Sequence, residues 1–356
     1  MDQTLELLKE ITDLPGVPGH EGRVAQAIAK RMEGLAEIEY DNLGSIILRK
    51  KGSSDRPRIM LAGHMDEIGF LVTLITKEGF LRFQPLGGWF DQVLLAKRVV
   101  VHTRQNEVHG VIGSKPPHIL SAEERKKVVE KKDMFIDIGA SSEEEARAFG
   151  VRPGDIVTPY SPFSQLANGK LLMAKAWDDR IGCAMFMEVI RSLQTEAHPN
   201  TVYGVGTVQE EIGLRGATTS VSVVEPDVGF ALEVGIAGDM PGVQPHEAQE
   251  KLGKGPAIFL YDGSMIPNYK LRDLTVEVAE REGIPIQFEA LPGGGTDAGR
   301  IHTYKRGVPS LVVGVPTRYI HSHHGIIHRD DFENAVKLLV AVIKQLDANT
   351  VAGLRI

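Results

Sequence analysis

The chain has 356 residues, of which 42% are hydrophobic and 24% charged, with a formal net charge of −7 at pH 7. That composition excludes a disordered chain, and an acidic balance without a Lys/Arg-rich patch argues against nucleic acid as a partner. The single cysteine, Cys183, excludes a disulfide framework and any multi-cysteine zinc site, so metal chemistry here would fall to the 12 histidines and 47 acidic residues.

The first 35 residues read as two helices. Leu5, Leu8, Ile11 and Leu14 keep helical spacing, and Val24, Ile28 and Met32 resume it after a turn. The first ten residues lack the basic start and apolar core of a signal peptide, and no run of about 18 apolar residues occurs. The expectation is a soluble, cytoplasmic chain with no membrane partner. Arg58 to Ala62 is an apolar run of strand length, followed by Ile68 to Ile75.

From about residue 70 to about 165 the character changes. Short β-like runs (Arg98 to His102, Val108 to Ile112, Met134 to Ile138, Ile156 to Thr158) are separated by Gly, Pro and charge clusters. The charged stretch Ser121 to Asp133 reads as a solvated helix or loop. After residue 165, strands and helices alternate. Arg180 to Leu193, Asn268 to Arg281 and Asp330 to Leu346 have helical spacing. Thr201 to Val208, Val228 to Leu232, Pro285 to Phe288 and Ser310 to Val313 read as strands. The fold class expected is α/β, a mostly parallel sheet with helices on both faces, interrupted by a small β-rich insertion. The division is residues 1–69 and 166–356 for the α/β domain and 70–165 for the insertion.

In open α/β sheets, ligands bind beyond the carboxyl ends of the strands. Five polar clusters fall at that edge: Gly63-His64-Met65-Asp66-Glu67, Trp177-Asp178-Asp179-Arg180, Gln209-Glu210-Glu211, Glu233, and Arg318 to His324. One such cluster is explained by helix capping, but Glu and His are poor caps. Adjacent Glu210 and Glu211 leaving an apolar strand repel each other unless a cation compensates. Asp66, two residues from His64, is placed to accept the second ring N–H of that histidine. His64, Asp178, Glu211, Glu233 and His321 then make two neutral and three anionic ligands, a balance that suits two divalent cations with a bridging water. Glu210, outside that set, is the natural base for the water. His/carboxylate sites accept zinc, cobalt or manganese.

These clusters resemble the tetrahedral (TET-type) glutamyl/leucyl aminopeptidases, a family of large self-compartmentalised two-metal enzymes. The likeness spans nearly the whole chain and adds Lys115-Pro116-Pro117-His118, Leu232-Glu233-Val234-Gly235 and Gly294-Gly295-Thr296-Asp297-Ala298. By that resemblance His64 and Glu233 hold one metal, Glu211 and His321 the other, and Asp178 bridges. Glu210 acts as base and Asp66 supports His64. The resemblance also implies a cis peptide at Asp178–Asp179, a β-barrel-like dimerisation insert, and dimers assembling into a dodecamer. The position of Glu233 is often Asp in the family, and His323 and His324 have no assigned part.

The glycine run Gly293 to Gly295 is no dinucleotide fingerprint, since no βαβ unit adjoins it. It reads as a tight loop bringing Thr296 and Asp297 to substrate, with a helix N-cap the competing role for Asp297. Cys183, between Gly182 and Ala184, reads as a packing residue. The function expected is hydrolysis of N-terminal residues from peptides. The alternatives are an N-acyl amidase or deacetylase on the same metals and, more remotely, an inactive assembly protein.

Overall fold

The computed structural model describes residues 2–355. Its first two helices are Gln3–Asp13, whose N-terminus is capped by the Asp2 carboxylate accepting from the Leu5 N–H at 3.0 Å, and Gly22–Met32. Leu5, Leu8 and Ile11 recur on one face and are buried, which holds the first helix on the core.

The main sheet has 11 strands. Its centre runs Thr201–Thr207, Arg58–His64, Val228–Ile236, Ser310–Arg318, all neighbours parallel. These strands read as continuous apolar runs because both faces are covered. In Arg58–His64, Ile59 and Leu61 join the cluster formed with the long helix Trp177–Ser192 and the helix Arg329–Ile343. Met60 and Ala62, pointing the other way, join Val221 and Val224 of the helix Arg215–Val224 on the opposite face.

Antiparallel strands flank the parallel centre, so the sheet is mixed. The hairpin Glu37–Tyr40 and Ile46–Lys51 closes one side, and Gly325–His328, Leu171–Ala174 and Ser164–Gln165 extend the other. Ala257–Asp262 and Gln287–Leu291 branch from Ser310–Arg318. Most of these flanking strands escape the sequence reading, being short or half-exposed, with a weak apolar run. The Pro285 to Phe288 strand is displaced toward its C-terminal side.

Between Gly69 and Pro159 six strands close into a barrel, in the order Gly69–Ile75, Leu81–Leu86, Phe135–Asp137, Glu107–Gly113, Arg98–His102, Ile156–Pro159. Closure leaves no free strand edge. The barrel has its own apolar core, including Phe70, Val99, Val101 and Ile136, with Phe70 stacked on Trp89 at 4.8 Å between ring centroids. The charged stretch Ser121 to Asp133 holds two short 3-10 turns, Glu124–Lys126 and Lys131–Asp133, and is largely exposed. Among the described residues, no helix is long and apolar enough to cross a membrane.

Candidate metal centre

The carboxyl ends of the parallel strands bring the polar clusters to one cleft of about 740 Å³. His64 is the last residue of its strand, directly opposite Thr207 on the neighbour. Glu210 and Glu211 follow three and four residues beyond Thr207, the end of that neighbour. Glu233 lies inside Val228–Ile236 rather than at its end, because the strand continues four residues past the predicted Leu232. Asp178 lies in a non-helical kink at the start of Trp177–Ser192, and His321 sits in the loop after Ser310–Arg318. All six line the cleft.

Asp178 stands between the two imidazoles. Its Oδ1 is 2.9 Å from His64 Nε2, and its Oδ2 is 3.3 Å from His321 Nε2. Glu211 lies 3.7 Å from His321 Nε2, and Glu210 lies 3.8 Å from His64 Nε2. One potential ligand atom from each of His64, Glu210 and Glu233 falls within 4.8 Å of the others, and the same holds for His64, Asp178 and Glu211.

Backbone carbonyls orient both imidazoles. His64 Nδ1 is 2.9 Å from the Asp66 carbonyl oxygen, and His321 Nδ1 is 2.7 Å from that of Gly88, in the barrel segment. With Nδ1–H donating to a carbonyl, each ring presents Nε2 to the cleft, the arrangement a metal-binding histidine needs.

The Asp66 side chain therefore does something other than expected. Its carboxylate is 3.6 Å from His64 Nδ1 and instead accepts the backbone N–H of Glu210 at 3.0 Å and of Glu211 at 3.1 Å. A carboxylate facing two successive amides out-competes a bond to one ring nitrogen. Asp66 thus fixes the turn that aims both glutamates. Asp179, which follows the Asp178 carboxylate in the chain, accepts from the His64 N–H at 2.9 Å and the Gly182 N–H at 3.0 Å. The Asp178–Asp179 peptide bond is cis.

Electrostatics separate the carboxylates. Burial pushes Glu211 up to about 8, aided by the Asp178 charge, and holds Glu210 and Glu233 well above the usual carboxylate range. Burial acts the same way on Asp178, but hydrogen bonds from His321 and His64 outweigh it and hold the group low. Burial lowers an imidazole, yet the surrounding carboxylates lift His321 to about 10 and His64 well above its ordinary value. Among the described residues, His64 and His321 are the only basic side chains paired with these four acids, and Glu211 Oε1 has no donor at all. Imidazole nitrogens and hard carboxylate oxygens, buried together with excess negative charge, fit divalent cations.

The substrate-loop residues are placed differently. Thr296 lines the cleft, but its hydroxyl donates to Asp262 at 3.0 Å. Asp297 is buried behind the wall, where it accepts the Thr207 hydroxyl. It occupies the N-cap position of Ala298–Ile301 without making the capping bond. It therefore neither faces the cleft nor caps a helix. His323 packs against Trp89 at 5.3 Å between centroids, away from Asp178, and Cys183 is buried against Gly63 and His64 carbonyls.

A profile of the M42 glutamyl aminopeptidase family matches residues 44–338. A TET aminopeptidase from the marine sediment archaeon Thaumarchaeota archaeon SCGC AB-539-E09 superposes with a TM-score of 0.98 at 54% identity, covering 99% of both chains. The TET1 peptidase of Pyrococcus horikoshii, which can assemble into a tetrahedron or a large octahedral shell, superposes at 0.87 with 36% identity, covering 97% of this chain and 100% of the other. The glutamyl aminopeptidase of Lactococcus lactis is 35% identical over 357 residues, 99% of each protein. On this agreement of sequence, fold and cleft, the chain belongs to the M42 glutamyl aminopeptidase family.

Proposed function

We propose that the chain is a two-metal aminopeptidase whose cleft holds one divalent cation between His64 and Glu233 and a second between Glu211 and His321, with Asp178 bridging. Hydrolysis at peptide N-termini is the activity of the family to which it belongs. The observation that carries the two-cation reading is the Asp178 carboxylate, whose two oxygens face two different imidazoles. Zinc, cobalt and manganese all suit the donor set. Such cations supply positive charge that polarises the scissile carbonyl and lowers the pKa of a water molecule.

The remaining steps fall to the protein. Glu210, buried beside His64, receives the water proton at its carboxylate and delivers it to the leaving amine. Asp66 holds Glu210 and Glu211 in place through their amides. Val234, Ile236 and Leu291 give the cleft apolar walls that exclude water around the reacting bond. The TET relatives, one of them a dodecamer and one able to form a tetrahedron or an octahedral shell, support a homo-oligomer; our reading adds dimers built through the barrel and joined into a dodecamer.

The test is a panel of free aminoacyl p-nitroanilides and their N-acylated counterparts, assayed with each metal. Turnover of the free series alone is expected. Turnover of the acylated series alone would replace this reading with an amidase. A size-exclusion mass measured on the same preparation reports the assembly.

A further inference from the structure

The turn that carries Glu210 leaves the strand Thr201–Thr207 through Val208 and Gln209, and Gln209 has a φ of 55°. That is the left-handed region, which a residue with a Cβ occupies when its surroundings hold it there. Three successive N–H groups of this turn are taken by carboxylate oxygens. Asp66 accepts those of Glu210 and Glu211 at 3.0 and 3.1 Å. The N–H of Gln209 goes to Oε1 of Glu21 at 3.0 Å, across 188 residues of chain.

Glu21 occupies the N-cap position of the helix Gly22–Met32 yet makes no capping bond to it. Its Oε1 instead accepts the Gly19 N–H at 2.8 Å together with that of Gln209. The residue is buried and does not line the cleft. The segment before it is anchored at Gly16, whose N–H donates to Glu67 Oε1 at 3.2 Å and whose carbonyl accepts the Glu67 N–H at 2.9 Å. Glu67 follows Asp66 in the chain, so the two carboxylates that grip the turn stand on one hydrogen-bonded frame. Burial, aided by the Asp66 charge, pushes Glu21 up to about 7. A carboxyl oxygen accepts N–H bonds in either protonation state, so the grip does not depend on charge.

Asp66 holds the amides on either side of the Glu210 backbone, but the direction in which the chain arrives there is set one residue earlier. With its N–H released, Gln209 is free to leave the left-handed region, and the base that follows it swings. A displacement of about 1 Å in a reacting group can cost about 100-fold in rate. We propose that Glu21 is a positioning residue for the reaction, locking through the Gln209 N–H the left-handed backbone that aims Glu210. This deepens the aminopeptidase reading and rests on Glu210 as its base.

The experiment compares Glu21→Gln, Glu21→Asp and Glu21→Leu with the metal-loaded wild type, on whichever aminoacyl p-nitroanilide the wild type cleaves fastest. Gln keeps the length and the acceptor oxygen without the charge. Asp keeps the charge but is one methylene short of Gln209. Leu removes the acceptor. Glu21→Gln is expected to keep most of the wild-type kcat. Glu21→Asp and Glu21→Leu should each lose about 10- to 100-fold in kcat, the cost of a misplaced group. KM, and inhibition by the matching free amino acid, should stay unchanged, because the cleft walls are untouched. Gln outperforming Asp is the signature of an acceptor at a fixed distance, and a buried acid serving only stability would not split kcat from KM. Wild-type kcat in folded Glu21→Leu or Glu21→Asp, a Gln variant as slow as Leu, or a raised KM at constant kcat would each overturn the proposal. If Glu21→Leu does not fold, the Gln and Asp variants decide. A Gln variant that does not fold overturns the proposal as well, since the acceptor oxygen alone would then be insufficient. If the wild type cleaves no substrate of the panel, the aminopeptidase reading fails, and if Glu210→Gln keeps its turnover, the assignment of the base fails. If both stand and the Glu21 pattern is missing, only the positioning role fails.

Discussion

Two buried charge clusters lie next to each other in the α/β half, and they are balanced differently. In the first, Glu67 accepts from Lys175 at 2.6 Å and lies 3.5 Å from Arg180. Arg180 spends its donors on the carbonyls of Met65, Ile11, Leu14 and Gly16. Here the chain supplies its own cations, and their donors tie the first helix to the sheet. In the second, Asp178, Glu210, Glu211 and Glu233 face one another and two imidazoles, with no Lys or Arg among the described side chains paired to them. A cluster closed by its own cations holds structure together. A cluster with surplus carboxylates and an open cleft takes its positive charge from outside.

The sharpest way to break this comparison is Glu210→Gln. It should keep metal content, measured by elemental analysis, while turnover falls by about 10²- to 10⁴-fold, the span of general-base catalysis. Normal turnover would remove Glu210 from the mechanism. In the closed cluster, Glu67→Ala leaves Lys175 and Arg180 buried without their carboxylate and should cost about 3–5 kcal/mol in denaturant unfolding, with metal stoichiometry unchanged in the folded fraction.

Chelation probes the open cluster alone. A cation held at about 100-fold above its Kd contributes about 2.7 kcal/mol, so its removal should lower the melting temperature, and re-addition should restore it. The metal-free protein should also show a distinct pH dependence. Glu211, raised to about 8, keeps its proton in the folded state where the unfolded chain has lost it, so stability falls as pH rises from about 4.5 through 8. His321, raised to about 10, contributes stability that is full below about 6.5 and is lost as pH rises through 10. Both act in one direction, so the melting temperature in chelator should drop between pH 6 and 9. A flat profile in chelator would show that these groups are not coupled in the folded cluster. The smallest effect belongs to Cys183→Ala, about 1 kcal/mol or less, with no change in turnover, as befits a packing thiol.

The parts of the fold legible in the sequence are those where one physical signal dominates. The parallel strands show as apolar runs, and the ends at His64 and Glu210 show because polarity begins abruptly there. The flanking strands Gly325–His328 and Leu171–Ala174 are four residues each, too short for periodicity to register. Side-chain destinations were less legible than positions. The two-residue spacing of His64 and Asp66 was visible, but which oxygen serves the ring depends on how the Glu210 turn folds back. Asp297 has the sequence of a loop acid and ends up bonded to Thr207, a contact across 90 residues of chain.

The bond from His321 to the Gly88 carbonyl has a consequence for modularity. Gly88 belongs to the segment between the barrel strand Leu81–Leu86 and Trp89, whose indole donates to the Gly69 carbonyl at 3.0 Å inside the barrel. The insertion therefore supplies the hydrogen-bond acceptor for a cleft histidine as well as having a core of its own. Excising it, or exchanging it for the barrel of a relative, would remove the acceptor that sets the orientation of the His321 imidazole at the cleft.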